Sequence, residues 1–463
     1  MTTYDSVLDM IGNTPMVELT HLDTGPCRLF AKLESQNPGG SVKDRIGLSM
    51  IEAAERDGRI RPGGTLIEAT AGNTGLGLAL VAALKGYRLI LVIPDKMSLD
   101  KIQHLKALGV EVRLTRSDVG KGHPEYYQDI AERLQREIPG AFWVDQFSNP
   151  ANPQAHYEGT GPEILAQMDG DVDAVFCGVG SGGTITGIGR YMRDHSPKTR
   201  MVVADPEGSI VAEAANTGEI RSDVGSWLVE GIGEDFIPPN CDLSVISRGI
   251  YVTDAEAFAA IQELLSKEGI LGGSSTGTLL AAALKYCSEQ TEPQRVVTLV
   301  CDTGNKYLSK AFNRAWLVDQ GLVERRRHGD LRDMIIRRAD EGDVVNVRPD
   351  DTLLTAYSRL RMFDVSQLPV MDGDQISGII DESDLLLAVQ GRSEEEAFKQ
   401  PVSSFMVTRL ETIRPSAPES ELMPILRADK VAIVADETTF YGLITKVDMI
   451  NHMRQSMAGA VSE

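Results

Sequence analysis

The chain has 463 residues, of which 42% are hydrophobic and 24% charged, and its formal net charge is −21. That length predicts two or three domains, and the negative charge argues against nucleic acid or an anionic membrane as a partner. Five widely spaced cysteines without a Cys-x-x-Cys pair argue against a disulfide framework or a thiolate metal site. No apolar run reaches the roughly 20 residues of a membrane helix, and the N-terminus lacks a signal peptide's hydrophobic stretch. We therefore expect a cytoplasmic protein that binds no metal.

Short apolar runs alternate with helical patterns from Tyr4 to about Ala315, as is typical of an α/β fold. Runs such as Leu89–Ile93 are apolar on both faces, as buried parallel strands require. The predicted strands include Thr65–Thr70, Arg88–Ile93, Glu111–Leu114, Ala174–Cys177 and Met201–Ala204. Because ligands of such sheets bind in the loops after the carboxyl ends of strands, these loops are where we expect the chemistry.

The segment Asn37–Arg45, with the sequence NPGGSVKDR, follows an apolar run and precedes a helical pattern. Its first four residues are typical of a turn, so Ser41 to Lys43 are predicted to open the helix. A lysine there lies beside the positive end of the helix dipole, which favours the neutral amine. The neutral amine is the form that makes a Schiff base with an aldehyde. Lys43 is therefore the candidate catalytic residue, with an ordinary surface lysine as the simpler alternative.

Two glycine-rich loops follow predicted strands and open predicted helices. Thr70–Gly75 consists of small residues whose backbone N–H groups suit a carboxylate or phosphate, with an ordinary capped turn as the alternative. Gly178–Thr184, with the sequence GVGSGGT, is a stronger anion cradle. It also fits the Gly-x-Gly-x-x-Gly fingerprint of dinucleotide-binding folds, with Asp205 where the ribose-binding acid would lie. A nicotinamide-dependent enzyme is thus a rival interpretation, although it does not explain Lys43.

A third loop, Gly272–Gly277, has the sequence GGSSTG and precedes the apolar helical stretch Leu279–Leu284. Hydroxyl groups at such a turn either cap the helix or face a ligand. The pattern alone leaves both interpretations open.

A polar basic run at 324–329 is predicted to be a linker, and two similar segments follow it. Gly378–Leu386 and Gly442–Ile450 resemble each other at an offset of 64 residues. An internal repeat of this size predicts two small α/β units that pack as a pair. We therefore expect a catalytic domain at 1–324, a linker at 325–331 and two repeat units at 332–392 and 402–457.

Together, the four loops resemble those of the β-family, or fold type II, of pyridoxal-phosphate enzymes, over about residues 4–320. The resemblance implies a catalytic domain like tryptophan synthase β, with parallel-rich sheets, and pyridoxal 5′-phosphate as the cofactor. It implies that Lys43 binds the cofactor aldehyde covalently and that Asn73 lies beside its ring hydroxyl. Ser275 would bond the pyridine nitrogen, with Ser274 as the alternative. The implied phosphate-binding residues are Gly180, Ser181, Gly182, Gly183 and Thr184.

Within that family, three segments resemble the cystathionine β-synthases more than the cysteine synthases; they are Asp145–Asn149, Asp205–Ser209 and Glu230–Phe236. The implied contacts of the substrate carboxylate are Thr70, Ala71, Gly72, Thr74 and Gln146. Ala71 departs from the family, in which many members carry serine, and Phe147 replaces a frequent tyrosine. The chain begins directly at the catalytic region, so no haem-binding extension and no haem are expected.

The resemblance implies that the chain condenses L-serine with L-homocysteine to give L-cystathionine and water. Hydrogen sulfide formation from cysteine is a further activity that it implies. A cysteine synthase or O-acetylserine-dependent sulfhydrylase with a regulatory module remains the alternative. A homodimer or a higher homo-oligomer is also expected from the family.

The tandem repeat resembles the paired CBS-type regulatory module, or Bateman module, of those enzymes. In such modules a Ser/Thr-x-x-Asp motif contacts a ribose. Thr445–Asp448 fits this motif, whereas Asp381–Asp384 carries an acid in place of the hydroxyl, so one of the two sites is expected to be empty. The resemblance implies S-adenosylmethionine or an adenine nucleotide at Thr445 and Asp448. The alternatives are a dimerising module without ligand and a chain that only senses an adenosyl ligand.

Overall fold

The computed structural model describes residues 3–70, 72–95, 99–119, 122–222, 224–323, 325–390 and 393–459. The chain divides into two compact units, Met1–Phe312 and Asn313–Glu463. The division lies earlier in the sequence than residue 324, where the catalytic domain is predicted to end. The predicted domain boundaries and the linker stay predictions.

In the described part of the first unit, ten strands form two sheets. Their bounds are β1 (Met16–Glu18), β2 (Arg28–Lys32), β3 (Thr65–Ala69), β4 (Arg88–Pro94), β5 (Glu111–Thr115), β6 (Phe142–Trp143), β7 (Ala174–Cys177), β8 (Arg200–Pro206), β9 (Arg248–Val252) and β10 (Arg295–Leu299). The larger sheet has the order β1-β2-β10-β7-β8-β9 and the smaller one the order β5-β4-β3-β6. All neighbouring strands are parallel except β1 and β2, so the predicted parallel-rich α/β fold is confirmed.

Helices connect these strands, as parallel pairing requires. Their bounds are α1 (Lys43–Arg56), α2 (Asn73–Lys85), α3 (Leu99–Ala107), α4 (Tyr127–Glu137), α5 (Ala151–Ala155), α6 (Gly161–Gln167), α7 (Gly183–His195), α8 (Val211–Thr217), α9 (Asp254–Glu268) and α10 (Ser274–Ser288). Ile90, Leu91 and Val92 of β4 are completely buried, which explains why this strand is apolar on both faces.

The second unit contains two small sheets, one antiparallel pair and one group of three strands. Its elements are α11 (Arg314–Asp319), α12 (Leu353–Phe363), β11 (Gln367–Asp372), β12 (Gln375–Asp381), α13 (Glu382–Val389), α14 (Glu394–Phe398), β13 (Thr412–Ile413), α15 (Leu422–Arg427), β14 (Ala432–Ala435), β15 (Phe440–Ile444) and α16 (Lys446–Gly459). The pairing register shifts after Val370 in β11 and after Val434 in β14, again 64 residues apart. The repeat seen in the sequence is therefore also a repeat of local structure.

Candidate active site and regulatory cavity

Lys43 is the first residue of α1. The turn before it is fixed because the Gly39 N–H donates to the buried Asp44 carboxylate. Burial lowers the pKa of the Lys43 amine, and the nearby Cys301 and Glu234 side chains oppose that shift only in part. Within the described residues, no hydrogen bond or ion pair involves the Lys43 Nζ. The Lys43 amine thus has no partner among the described residues, and burial shifts it toward the neutral form that makes a Schiff base.

The loop Gly178–Thr184 connects β7 to α7, so its backbone N–H groups lie at the positive end of a 13-residue helix. Gly182 has a φ of +82°, a left-handed conformation that favours glycine. A Cβ atom on Gly183 would lie 1.9 Å from the Asn152 Oδ1 atom. Asn152 also donates to the Ser181 hydroxyl at 2.9 Å. Close packing therefore fixes an anion cradle whose charge comes from backbone dipoles.

His156 lies next to this cradle, and the sequence analysis missed it. It occupies a π-helical turn between α5 and α6, and its ring contacts the Thr184 hydroxyl at 3.2 Å and the Thr160 hydroxyl at 2.8 Å. Burial, followed by the charges of Lys43 and Arg45, lowers the pKa of His156 well below its usual range. The imidazole is therefore neutral and orients Thr184 without adding charge. The irregular turn was not visible in the sequence pattern, although such turns are frequent at functional sites.

The loop after β3 brings together most of the predicted substrate contacts. The Thr70 hydroxyl accepts a hydrogen bond from the Gly72 N–H at 3.3 Å. The Thr74 hydroxyl donates to the Gln146 Oε1 atom at 2.6 Å, and both side chains are buried. The Gln146 Oε1 atom is therefore used by the protein itself. The Gln146 NH₂ group is the part of this amide that could donate to a ligand. Ala71 lies outside the described residues.

Ser274 and Ser275 open α10 and differ in their partners. The Ser274 hydroxyl accepts from the Glu230 N–H at 3.0 Å. The buried Ser275 side chain lies close enough to the Cys301 thiol to lower its pKa slightly, although burial raises the pKa of that thiol overall. The Ser274 hydroxyl is therefore used in holding a neighbouring loop.

Glu234 is an acid facing Lys43 that the sequence analysis did not single out. Burial, followed by the charges of Asp235 and Asp205, raises the pKa of Glu234 to about 8, and Lys43 opposes the shift. Asp205, the acid that the dinucleotide interpretation requires, is fully buried and accepts the Ala212 N–H at 2.8 Å. One oxygen of its carboxylate is thus engaged by its own chain, and its complete burial counts against a contact with a ribose.

A cavity of about 620 Å³ lies in the second unit. Its lining includes Thr445, Lys446 and Asp448 together with the apolar side chains of Val365 and Val431. Thr445 and Asp448 also form a helix cap, since the Thr445 hydroxyl donates to the Asp448 carboxylate at 2.7 Å and the Asp448 N–H donates back to that hydroxyl at 3.3 Å. The motif therefore has a structural use in addition to lining a cavity.

The corresponding motif in the first repeat, Asp381–Asp384, is also a helix cap. The Asp381 carboxylate accepts the Ser383 and Asp384 N–H groups at 2.7 and 2.9 Å, at the start of α13. Because aspartate caps helices as well as threonine does, the acid at this position preserves the fold. It removes only the hydroxyl that a ribose contact would use.

The described ranges contain no helix that is long and apolar enough to cross a membrane. They also contain no group of three His, Cys, Asp or Glu side chains that could hold a metal ion.

Comparisons with known proteins agree with this geometry. Residues 7–302 match the family model described as pyridoxal-phosphate dependent enzyme, and residues 332–391 match that of the CBS domain. The chain is 35% identical to a cystathionine beta-synthase of Dictyostelium discoideum over 469 residues, covering 98% of this chain and 93% of that protein. It is 41% identical over 306 residues to cysteine synthase A of Escherichia coli, covering 65% of this chain and 93% of that protein.

Among solved structures, it is similar to a hydrogen sulfide-producing enzyme from Fusobacterium nucleatum. The TM-score is 0.62 at 38% sequence identity, with 66% of this chain and all of the other covered. The chain therefore belongs to the pyridoxal-phosphate dependent enzymes. Its likeness over nearly the whole length places it in the cystathionine beta-synthase branch of that family.

Proposed function

We propose that the chain replaces the hydroxyl group of L-serine with the thiol of L-homocysteine, giving L-cystathionine and water. The observation that carries this proposal is the unpartnered amine of Lys43, whose pKa is lowered by burial, in a chain similar to a cystathionine beta-synthase over nearly its whole length. Pyridoxal 5′-phosphate would supply an aldehyde that reacts with the amino group of the substrate. It would also supply an electron sink for the bond that breaks at the substrate α-carbon.

The residues present fit this cofactor. Lys43 would bind its aldehyde, the Gly180–Thr184 backbone would hold its phosphate, and Asn73 would lie beside its ring hydroxyl. The Ser275 hydroxyl would contact the ring nitrogen. A neutral hydroxyl does not force that nitrogen to stay protonated, which favours rapid elimination over a long-lived carbanion. No haem is proposed.

Lys43 would have two further tasks while the substrate is bound. Its neutral Nζ removes the proton from the substrate α-carbon, since burial favours the unprotonated amine. The protonated Nζ then donates to the departing hydroxide, which is a poor leaving group without a proton. The loop Thr70–Thr74 and the Gln146 NH₂ group would hold the substrate carboxylate and orient the α-carbon toward Nζ.

The test uses the purified full chain. Wild-type protein should be yellow, and Lys43→Ala should lose both the visible absorbance and turnover, while Lys85→Ala, a lysine of α2 away from these loops, should keep both. Rates with serine and O-acetylserine, each paired with homocysteine and with sulfide, decide the substrates. A preference for O-acetylserine with sulfide would favour a cysteine synthase, and hydrogen sulfide released from cysteine would add the further activity. Colourless wild-type protein with full activity would contradict the proposal.

We also propose that the cavity of the second unit binds an adenosyl ligand, either S-adenosylmethionine or an adenine nucleotide. Asp448 provides a carboxylate for ribose hydroxyls, and Val365 and Val431 provide apolar surface for a base. Calorimetric titration of the full chain with S-adenosylmethionine and with ATP tests this. Asp448→Asn should weaken binding, whereas Asp384→Asn in the first repeat should not. If neither ligand produces a heat of binding, the proposal is wrong and the second unit has a structural role only.

We further propose a cytoplasmic homodimer. All five cysteines are free, which is compatible with a reducing compartment. The dimer is proposed from the family alone, and sedimentation of the purified protein tests it.

A further inference from the structure

The side-chain amide of Asn73 is held at both ends. Its Nδ2 donates to the Asp302 Oδ2 atom at 2.8 Å, and its Oδ1 accepts from the Lys306 Nζ at 2.7 Å. Asp302 and Lys306 lie more than 225 residues further along the chain, just after β10. The amide therefore joins a buried anion to a cation through one continuous chain of hydrogen bonds.

This arrangement allows only one orientation of the Asn73 amide. A rotation by 180° would place the NH₂ group against the Lys306 ammonium and the carbonyl oxygen against the Asp302 carboxylate. Both of those contacts would be repulsive, since an ammonium only donates and a carboxylate only accepts. One of the two Nδ2 hydrogens is used by Asp302. The other is the polar group that the amide has left to offer a ligand.

The two charged groups are themselves held firmly. Asp302 is fully buried, and its Oδ2 also accepts the Tyr307 hydroxyl at 2.7 Å, with the phenol lying close to the Asn73 amide as well. The Lys306 Nζ donates to the carbonyl oxygens of Gly39 and Gly40 at 3.1 and 3.3 Å. Lys306 thereby connects the turn that precedes Lys43 to the loop that carries Asn73.

We propose that Asp302 and Lys306 are positioning residues that fix the Asn73 amide so that its second N–H is presented to the ring oxygen of the cofactor. This inference rests on the proposed function, because it requires pyridoxal 5′-phosphate beside Asn73. A hydrogen bond donated to that oxygen stabilises its ionised form. Asp302 and Lys306 would therefore set the balance between two forms of the cofactor. The form with an ionised ring oxygen absorbs in the visible, and the form with a neutral ring oxygen absorbs in the near ultraviolet.

The test compares the absorption spectra of holoenzymes at one fixed pH, normalised to the cofactor released by alkali. Lys306→Met and Asp302→Ala each remove one restraint on the amide. Both should lower the ratio of visible to near-ultraviolet absorbance, by about tenfold, the effect of losing one hydrogen bond to a charged group. Asp173→Ala is the matched control. Asp173 accepts the Arg295 N–H at 2.8 Å at the opposite end of β10, and its removal should leave the ratio unchanged.

The signs of the two changes separate positioning from a direct effect of charge. If charge alone mattered, loss of the Lys306 cation would lower the visible band, whereas loss of the Asp302 anion would raise it. A higher ratio in Asp302→Ala, or unchanged ratios in both variants, would overturn the inference. Should Asp302→Ala fail to fold, Asp302→Asn decides the matter, because it removes the charge but keeps an oxygen that accepts from the Asn73 Nδ2 atom. A higher ratio in Asp302→Asn would overturn the inference, whereas a ratio that is not raised agrees with positioning. Absence of a visible band in the wild type would instead refute the proposed function itself.

Discussion

Gly77 lies directly against the backbone of Lys43. A Cβ atom on Gly77 would lie 2.6 Å from the Lys43 carbonyl oxygen, and a Cβ on Gly47 would lie 2.7 Å from the Gly77 carbonyl carbon. The helices α1 and α2 thus meet backbone to backbone through two glycines. Because α1 begins at Lys43 and α2 begins at Asn73, this contact fixes the distance between the two residues that would flank the cofactor.

Gly77→Ala should therefore disturb both stability and cofactor binding. The added methyl group meets backbone atoms, which cannot move aside as a flexible side chain could, and such overpacking costs about 1–3 kcal/mol. We expect a lower free energy of unfolding in urea and weaker retention of the cofactor on dialysis. Leu84→Ala, at an exposed position on the same helix, should change stability by about 0.5 kcal/mol or less. Equal stability and retention in Gly77→Ala and the wild type would show that α1 and α2 can separate freely.

Arg45 belongs to the same segment as Lys43, and its role is structural. Its guanidinium donates to Glu34 at 2.7 and 2.8 Å and to both carboxylate oxygens of Glu163 at 2.7 Å. Lys32 also bonds Glu163, at 2.6 Å. Burial alone would raise the pKa of Glu163, but the hydrogen bonds and charges of Arg45 and Lys32 overcome it and lower the pKa to about 2.

Arg45→Met should lower the free energy of unfolding by about 3–5 kcal/mol, because it leaves the fully buried Glu34 carboxylate without its cation. Adding Glu34→Gln should recover part of that loss, since the uncompensated charge is then gone. Arg116→Ala, which breaks an exposed pair with Asp118, should leave the free energy of unfolding nearly unchanged. Urea unfolding of the four proteins measures this. A small effect of Arg45→Met would mean that the buried network contributes little.

Lys43, Asn73 and the glycine loops could be predicted from the sequence because each lies within a few residues of a strand end or a helix start. Asp302 could not, since 229 residues separate it from Asn73 and the two residues follow strands of different sheets, β10 and β3. The pairing of Arg45 with Glu163, over 118 residues, was hidden for the same reason. Local patterns thus revealed the groups that would touch ligands, whereas the groups that hold them depend on tertiary structure.

Glu68 on β3 should make stability depend on pH. It is almost completely buried, and among the described residues its Oε2 atom has no hydrogen-bond partner. Burial, followed by the charge of Asp145, raises the pKa of Glu68 from its ordinary value of 4.5 to about 8. The folded state then binds the proton more tightly than the unfolded state. The contribution of this proton to the free energy of unfolding is fully present below pH 4.5 and is lost as the pH rises to about 8.

Glu68→Gln should remove this loss, because glutamine cannot ionise. We expect the variant to be more stable than the wild type above about pH 8, by up to about 5 kcal/mol, and not to gain near pH 4.5. Urea unfolding across this range provides the measurement, with the exposed Glu137→Gln as a control that should follow the wild type. A constant difference between Glu68→Gln and the wild type at every pH would contradict the assignment.

The caps of the two repeats separate folding from ligand binding in the second unit. Asp381→Ala and Thr445→Ala each remove an N-cap, so both should destabilise the second unit by about 0.5–2 kcal/mol. Only Thr445 lines the cavity, so only its substitution should also weaken binding of S-adenosylmethionine or ATP. Thermal unfolding and calorimetric titration of the full chain measure the two effects. Equal affinity in both variants would assign Thr445 to the helix cap alone, and the hydroxyl that distinguishes the second motif from the first would then have no part in recognition.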